Sequence, residues 1–169
     1  MSILETDRLR LRKVSLADAE FILRLLNEPS FIQNIGDKGV RTLEDARGYI
    51  SSGPIASYEK FGFGLWLLET KDDMSPIGIC GLLKRDALED VDIGYALVPE
   101  FWSKGYAIES ASAVLDYARK TLRLNRLVAI VSPNNESSIR LLQKVGFRFE
   151  KMVRLSDSAP EIKLFGRKL

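Results

Sequence analysis

The sequence contains no histidine at all and one cysteine, Cys80, among its 169 residues. Without histidine the commonest general base and the commonest metal ligand are gone, and one cysteine makes neither an internal disulfide nor a cysteine zinc cluster. No bound metal is therefore expected. Long apolar runs are missing too: no stretch approaches the roughly 18 to 20 residues needed to span a bilayer, and the opening residues Met1 to Arg8 carry no apolar core behind a basic start. A cytoplasmic protein with no membrane partner is expected. Charge of one sign is also lacking. The 25 Lys and Arg against 23 Asp and Glu leave a net +2, and the basic residues are scattered, so no nucleic-acid partner is expected either. Whatever chemistry occurs must use carboxylates, hydroxyls, backbone amides or a cofactor.

What is present is ordinary globular composition, 46% hydrophobic and 28% charged, in a length that suits one core and one domain over residues 1–169. Arg8, Arg10 and Arg12 alternate with Leu9 and Leu11, which predicts a first strand over 7–14. Ser15 with Asp18, and Thr42 with Asp45, are capping-box-like helix starts; the first helix should stop at Pro29 and the second near Gly53 and Pro54. Strands are predicted over 63–70, 77–84 and 91–98, the first two forming a hairpin around Asp72 to Pro76, and the third stopped by Pro99. A helix over 108–122, a strand over 126–132, a helix over 135–144 and two strands over 147–155 and 161–167 complete the chain. The order describes one mixed-sheet α/β domain.

Chemistry concentrates between Asp92 and Glu109. This segment is a strand, a short loop and a helix start, with Gly105 and Ala107 small enough for a ligand to approach the backbone while the first-turn amides stay unpaired. Such a turn suits a pyrophosphate, although a plain strand-to-helix connection would have a similar pattern. Neither Gly-x-Gly-x-x-Gly nor Gly-x-x-x-x-Gly-Lys-Ser/Thr occurs, which disfavours other nucleotide-binding families. The segment Trp102-Ser103-Lys104-Gly105-Tyr106-Ala107 resembles the acetyl-coenzyme A-binding motif of the GNAT N-acetyltransferases, Arg/Gln-x-x-Gly-x-Gly/Ala, with Trp102 standing at the Arg/Gln place. That departure is similar to the RimJ/RimL-like branch, which acetylates ribosomal-protein N-termini. Thr6 to Arg12, Asp92-Ile93-Gly94-Tyr95, Asn135 to Arg140 and Lys144-Val145-Gly146-Phe147 match further marks of the branch, in order along nearly the whole chain.

The resemblance implies a mostly antiparallel, seven-stranded mixed sheet with splayed central strands and about four helices, binding acetyl-coenzyme A. It also implies direct transfer of acetyl to a primary amine in a ternary complex. Backbone groups of Leu97 and Val98 would serve the pantetheine arm, and amides of Ser103, Lys104, Gly105, Tyr106 and Ala107 the pyrophosphate. Lys104 would add charge, or be a solvated loop lysine. Asn135 would contact the arm, or only cap its helix. Ser138 would sit near the thioester sulfur, and because Leu142 occupies the place where many relatives keep an acidic tyrosine, the acid is Ser138 or no specific group. The Val98 amide would be the oxyanion donor.

Asp92 shares a strand face with small Gly94 and Ala96, which makes it the candidate base in the absence of histidine, or a solvated strand aspartate. A weak base acting through water suffices for an α-amine near pKa ~7.7 to 8.0, already roughly a tenth neutral at pH 7, and not for a lysine near ~10.4. The acceptor that the resemblance implies is an N-terminal α-amine of a protein or peptide, although the acceptor itself is not read from the sequence. The alternatives are a small amine (polyamine, antibiotic or amino-acid derivative) or a non-catalytic coenzyme A sensor. Cys80, in an apolar run with no base beside it, is expected in the core, and Tyr58, Phe61, Phe63 and Trp66 receive no role. A monomer or homodimer is expected.

Overall fold

The computed structural model describes residues 1–169. Its strands are β1 (Ser2–Glu5), β2 (Leu9–Lys13), β3 (Leu65–Thr70), β4 (Pro76–Leu83), β5 (Asp92–Leu97), β6 (Arg126–Val131), β7 (Arg148–Val153) and β8 (Ile162–Lys168). They form one sheet in the order β1-β2-β3-β4-β5-β6-β8-β7. The helices are α1 (Ala19–Leu26), α2 (Pro29–Asn34), α3 (Leu43–Ile50), α4 (Ala56–Phe61), α5 (Tyr106–Lys120) and α6 (Glu136–Lys144). A π-helical turn, Ser51–Ile55, joins α3 to α4, so that pair runs as one continuous helix and the helices number five in space.

The start signals act as expected. Thr42 Oγ1 accepts from the Asp45 amide at 3.0 Å while Asp45 Oδ2 accepts from the Thr42 amide at 3.2 Å, and the Asp18 carboxylate accepts from the Ser15 amide at 2.8 Å. Three elements depart from expectation. The short edge strand β1 pairs with β2 through an irregular register, and its four residues are too few for alternation to be legible. Pro29 does end α1, yet it also opens α2 from the first helical position, where its missing N–H costs nothing. The helix begun at Thr42 does not stop at Gly53 and Pro54: the widened π-turn takes in the proline, and the helix continues until Gly62, at φ 78°, caps it.

Two apolar layers cover the sheet. On one face α5 and α6 bury Ala111, Val114, Leu115, Ala118 and Leu142 against Trp66, Leu68, Ile93, Leu127 and Phe165; on the other, α1 to α3 bury Ile22, Leu25, Phe31 and Ile50 against Leu67, Ile79 and Val98. Every strand pair is antiparallel except β5 with β6. That parallel joint holds at one place only, Asp92 opposite Val128, fixed by the Val128 amide donating to the Val91 carbonyl at 3.0 Å. Beyond it β5 and β6 diverge, and the sheet carries an open wedge at its centre.

Candidate active site

One side of the wedge is the free edge of β5. In an antiparallel ladder, consecutive residues send their backbone groups alternately to one neighbour and the other. The Val98 amide donates to the Ile77 carbonyl of β4 at 3.0 Å, and the Val98 carbonyl accepts from the Phe101 amide at 3.0 Å. The Ala96 carbonyl likewise faces β4, lying 2.3 Å from where a Cβ on Gly78 would stand. The amides of Tyr95 and Leu97 therefore face the wedge. The Val98 amide, expected as the oxyanion donor, is thus spent on β4 and its side chain is fully buried in the α1 to α3 layer, while its carbonyl, accepting one bond, keeps a second lone pair. Leu97 keeps its amide for the wedge, but its carbonyl accepts from the Trp102 indole Nε1 at 2.9 Å.

At the mouth of the wedge the chain turns from β5 into α5. Ser103, at φ 60°, and Gly105, at φ 84°, both take left-handed backbone, and the first helical bond runs from the Glu109 amide to the Gly105 carbonyl at 3.1 Å. The amides of Tyr106, Ala107 and Ile108 thus lie ahead of that first bond with no side-chain cap, and those of Ser103, Lys104 and Gly105 have no acceptor. Unpaired donors at the positive end of a 15-residue helix favour an anion. The N-terminal motif braces this turn: Glu109 accepts from the Arg8 amide at 3.0 Å and from Arg8 Nε at 2.7 Å, while Arg8 Nη1 donates to the Lys104 carbonyl at 3.0 Å. Lys104 is exposed, its Nζ 5.6 Å from the Phe101 ring centre.

The far wall is the start of α6. Asn135 Oδ1 accepts from the Ser138 amide at 3.2 Å, so Asn135 is the helix cap, and its Nδ2 keeps its hydrogens free. Ser138 Oγ lies 2.6 Å from the Tyr95 hydroxyl, which reaches across from β5. Burial pushes the Tyr95 phenol up to about 12, with Ser138 opposing, so the phenol is protonated at neutral pH. Sequence alone does not mark Tyr95. Its position out of phase with Gly94 says that it faces the α5 and α6 layer; that it meets Ser138, 43 residues later, is decided by the fold. Leu142 is buried in that layer.

Asp92 lies at the closed end of the wedge. It is 1% exposed, and Arg85 Nε donates to its two oxygens at 3.2 and 3.3 Å. Burial raises the carboxyl to about 6 against the opposing pull of Arg85. Asp92 is thus not a solvated strand aspartate. At roughly 3.3 Å per residue it stands about 10 Å from Tyr95 along the strand. Cys80 is fully buried, with its thiol pushed up to about 12 by burial, and Trp66 packs edge-on to Tyr117 at 5.3 Å. Phe61 alone of the four aromatics set aside above is substantially exposed. No group of three or more Cys, Asp or Glu converges as a metal site, and no helix is long and apolar enough to cross a membrane.

A mixed sheet opened at its one parallel joint, with an anion-binding helix start at the mouth, defines a coenzyme A-dependent acyltransferase. The chain belongs to the GNAT acetyltransferases, whose domain model matches residues 8–148, and its acyl donor is acetyl-coenzyme A. It is 35% identical over 154 residues to the uncharacterized N-acetyltransferase YoaA of Bacillus subtilis, covering 90% of this chain and 86% of that one. An acetyltransferase from Agrobacterium tumefaciens superposes with a TM-score of 0.82 at 27% identity, over 97% of this chain and 92% of its own. RimL, a ribosomal-protein α-N-acetyltransferase solved with coenzyme A, shares the fold with a TM-score of 0.84 at 18% identity, over 100% and 98% of the two chains.

Proposed function

We propose that residues 1–169 form one N-acetyltransferase domain that transfers acetyl from acetyl-coenzyme A to the N-terminal α-amine of a protein or peptide by direct attack. The observation that carries this reading is Asp92: with no histidine in the chain, it is a buried carboxylate at the closed end of the wedge, and burial, raising it to about 6, makes it a weak base at neutral pH. A weak base suits an amine that is already partly neutral, as an α-amine is and a lysine or polyamine is not. RimL, which shares the fold and is an α-N-acetyltransferase of ribosomal protein L7/L12, supports the same acceptor class.

Bound acetyl-coenzyme A supplies the thioester. Amides of Ser103 to Ala107 would hold its pyrophosphate, with Lys104 adding charge, and the Asn135 Nδ2 and the free β5 edge would hold the arm. The wedge-facing amides of Tyr95 and Leu97 take the oxyanion role, since that of Val98 is spent. Asp92 accepts the proton lost by the amine through intervening water, because its buried carboxylate stands about three residues from the nearest of these amides. Ser138 donates to the departing thiolate, Tyr95 re-protonates Ser138, and solvent returns a proton to Tyr95 and takes the one held by Asp92. Thiol release from acetyl-coenzyme A with a panel of peptides, lysine derivatives and polyamines tests the assignment. Peptides with free α-amines should turn over and their α-acetylated forms should not; preference for polyamines or side-chain amines would overturn it.

A further inference from the structure

The face of the sheet away from α5 and α6 carries a groove of about 400 Å³ between the α3–α4 helix and the strands, lined among others by Tyr49, Lys60, Phe61, Leu65, Leu83 and Lys84. Its floor backs onto β5 where β5 has no side chain: a Cβ on Gly94 would stand 3.4 Å from Leu83 Cδ1 and 3.5 Å from Leu65 Cδ2. Asp92, two residues away, lies on the same strand face by alternation. The groove therefore opens beside the proposed base and opposite the acyl-donor layer, where an acceptor amine would enter.

Its charge is one-sided. Lys60 and Lys84 line it, Arg85 follows Lys84 and holds Asp92, and desolvation first, then the charge of Arg85, holds the Lys38 ammonium down. Tyr49 feels the same guanidinium. Asp92 is the one carboxylate that pairs with any of these four cations. Lys84 Nζ donates to the carbonyls of Arg85 and Leu88 at 2.9 and 2.6 Å, which uses two of its three hydrogens, and no carboxylate pairs with its charge within 4.0 Å. Lys38 and Lys60 have no carboxylate partner within 4.0 Å, although the same chain builds 15 ion pairs elsewhere. In a protein of net charge +2, such a cluster is a local feature and not a by-product of composition. Like charges around a concave, partly apolar surface repel one another and raise the local concentration of anions.

We propose that this groove selects acidic acceptors, amines that carry a carboxylate within a residue or two of the reacting nitrogen, and that it repels polycations. The inference rests on the α-amine reading above. An acidic peptide N-terminus and a small acidic amino acid share this chemistry.

The test measures kcat/KM for thiol release with peptides of one length whose second and third residues are acidic, amide or lysine, alongside glutamate and glutamine, at low and at high salt. At low salt the acidic peptide should exceed its amide counterpart by about tenfold or more, and the lysine peptide should be poorest. The ratio should shrink toward one at about 0.5 M salt, as screening requires. Lys60→Glu and Lys38→Gln, both at exposed positions, should each narrow the ratio at least threefold, whereas a variant that only damaged the fold would slow all acceptors alike and keep it. Faster turnover of glutamate than of any peptide would keep the acidic selectivity and remove the peptide from the α-amine reading. Equal rates for acidic, amide and lysine acceptors would overturn the inference alone. Turnover of no amine by protein that binds acetyl-coenzyme A in calorimetry would overturn the reading beneath it and the inference together.

Discussion

The roles proposed for Asp92, Tyr95 and Ser138 each have a distinguishable signature. Asp92→Asn keeps the shape and removes the proton acceptor, so turnover should fall at least tenfold with acetyl-coenzyme A affinity little changed. The parent's acid limb, centred near pH 6, should disappear from the kcat/KM profile. Stability moves the other way. Burial raises this carboxyl, so the native state binds its proton more tightly than the unfolded chain, and stability is lost as pH rises from about 4 through about 6. The variant should then melt no lower than the parent at pH 7.5, the two differing less as pH approaches 4, which thermal scans at the two pH values would read. For the thiol, Ser138→Ala and Tyr95→Phe should each slow turnover by roughly tenfold, on the order of 1.4 kcal/mol of transition-state stabilisation. Because the two hydroxyls lie 2.6 Å apart and act in series, the double variant should be no slower than the worse single one. Fully additive losses would mean that they act independently.

Among the elements, the turn from β5 into α5 does the most with the fewest side chains. Gly105 sits at φ 84°, and a Cβ there would lie 3.2 Å from Arg8 Nη2, the group that braces the turn. Gly105→Val therefore brings left-handed strain and a crowded neighbour to the place where six amides are free. Affinity for acetyl-coenzyme A in calorimetry should fall at least a hundredfold, while far-ultraviolet circular dichroism stays near that of the parent, because α5 is still held by Ala111, Val114 and Leu115. Unchanged affinity would remove the turn from the site. The start of α6 leaves room for both of the roles that sequence gives as alternatives. Asn135 caps the helix with one atom of its amide and retains the other for a ligand, so capping does not argue against binding.

For the whole molecule, the weak joint between β5 and β6 is the place proposed for the ligand. A sheet of eight strands is joined across β5 and β6 by one residue pair, and a ligand lying in the wedge supplies the contacts that pairing does not. Saturation at about a hundred times Kd should stabilise the fold by about 2.7 kcal/mol, raising Tm by roughly 5 to 11 °C for a chain of this size. Hydrogen exchange of the Tyr95 and Leu97 amides should slow when acetyl-coenzyme A binds, and that of Val98, already in the ladder, should not. The sequence by itself determined most elements to within two or three residues, because period-two and helical patterns and capping pairs are local properties. It also located the turn proposed to hold the pyrophosphate, through Gly105 and Ala107, and determined the acetyl-coenzyme A class, through motifs that keep their order. Only the tertiary structure decided which amides face the wedge, since the phase of a ladder is set by the neighbouring strand: one residue of difference moves that role from Val98 to Leu97. It alone paired Tyr95 with Ser138, buried Asp92 under Arg85 and gathered unpaired cations beside them, because residues far apart in sequence meet only when the sheet has formed.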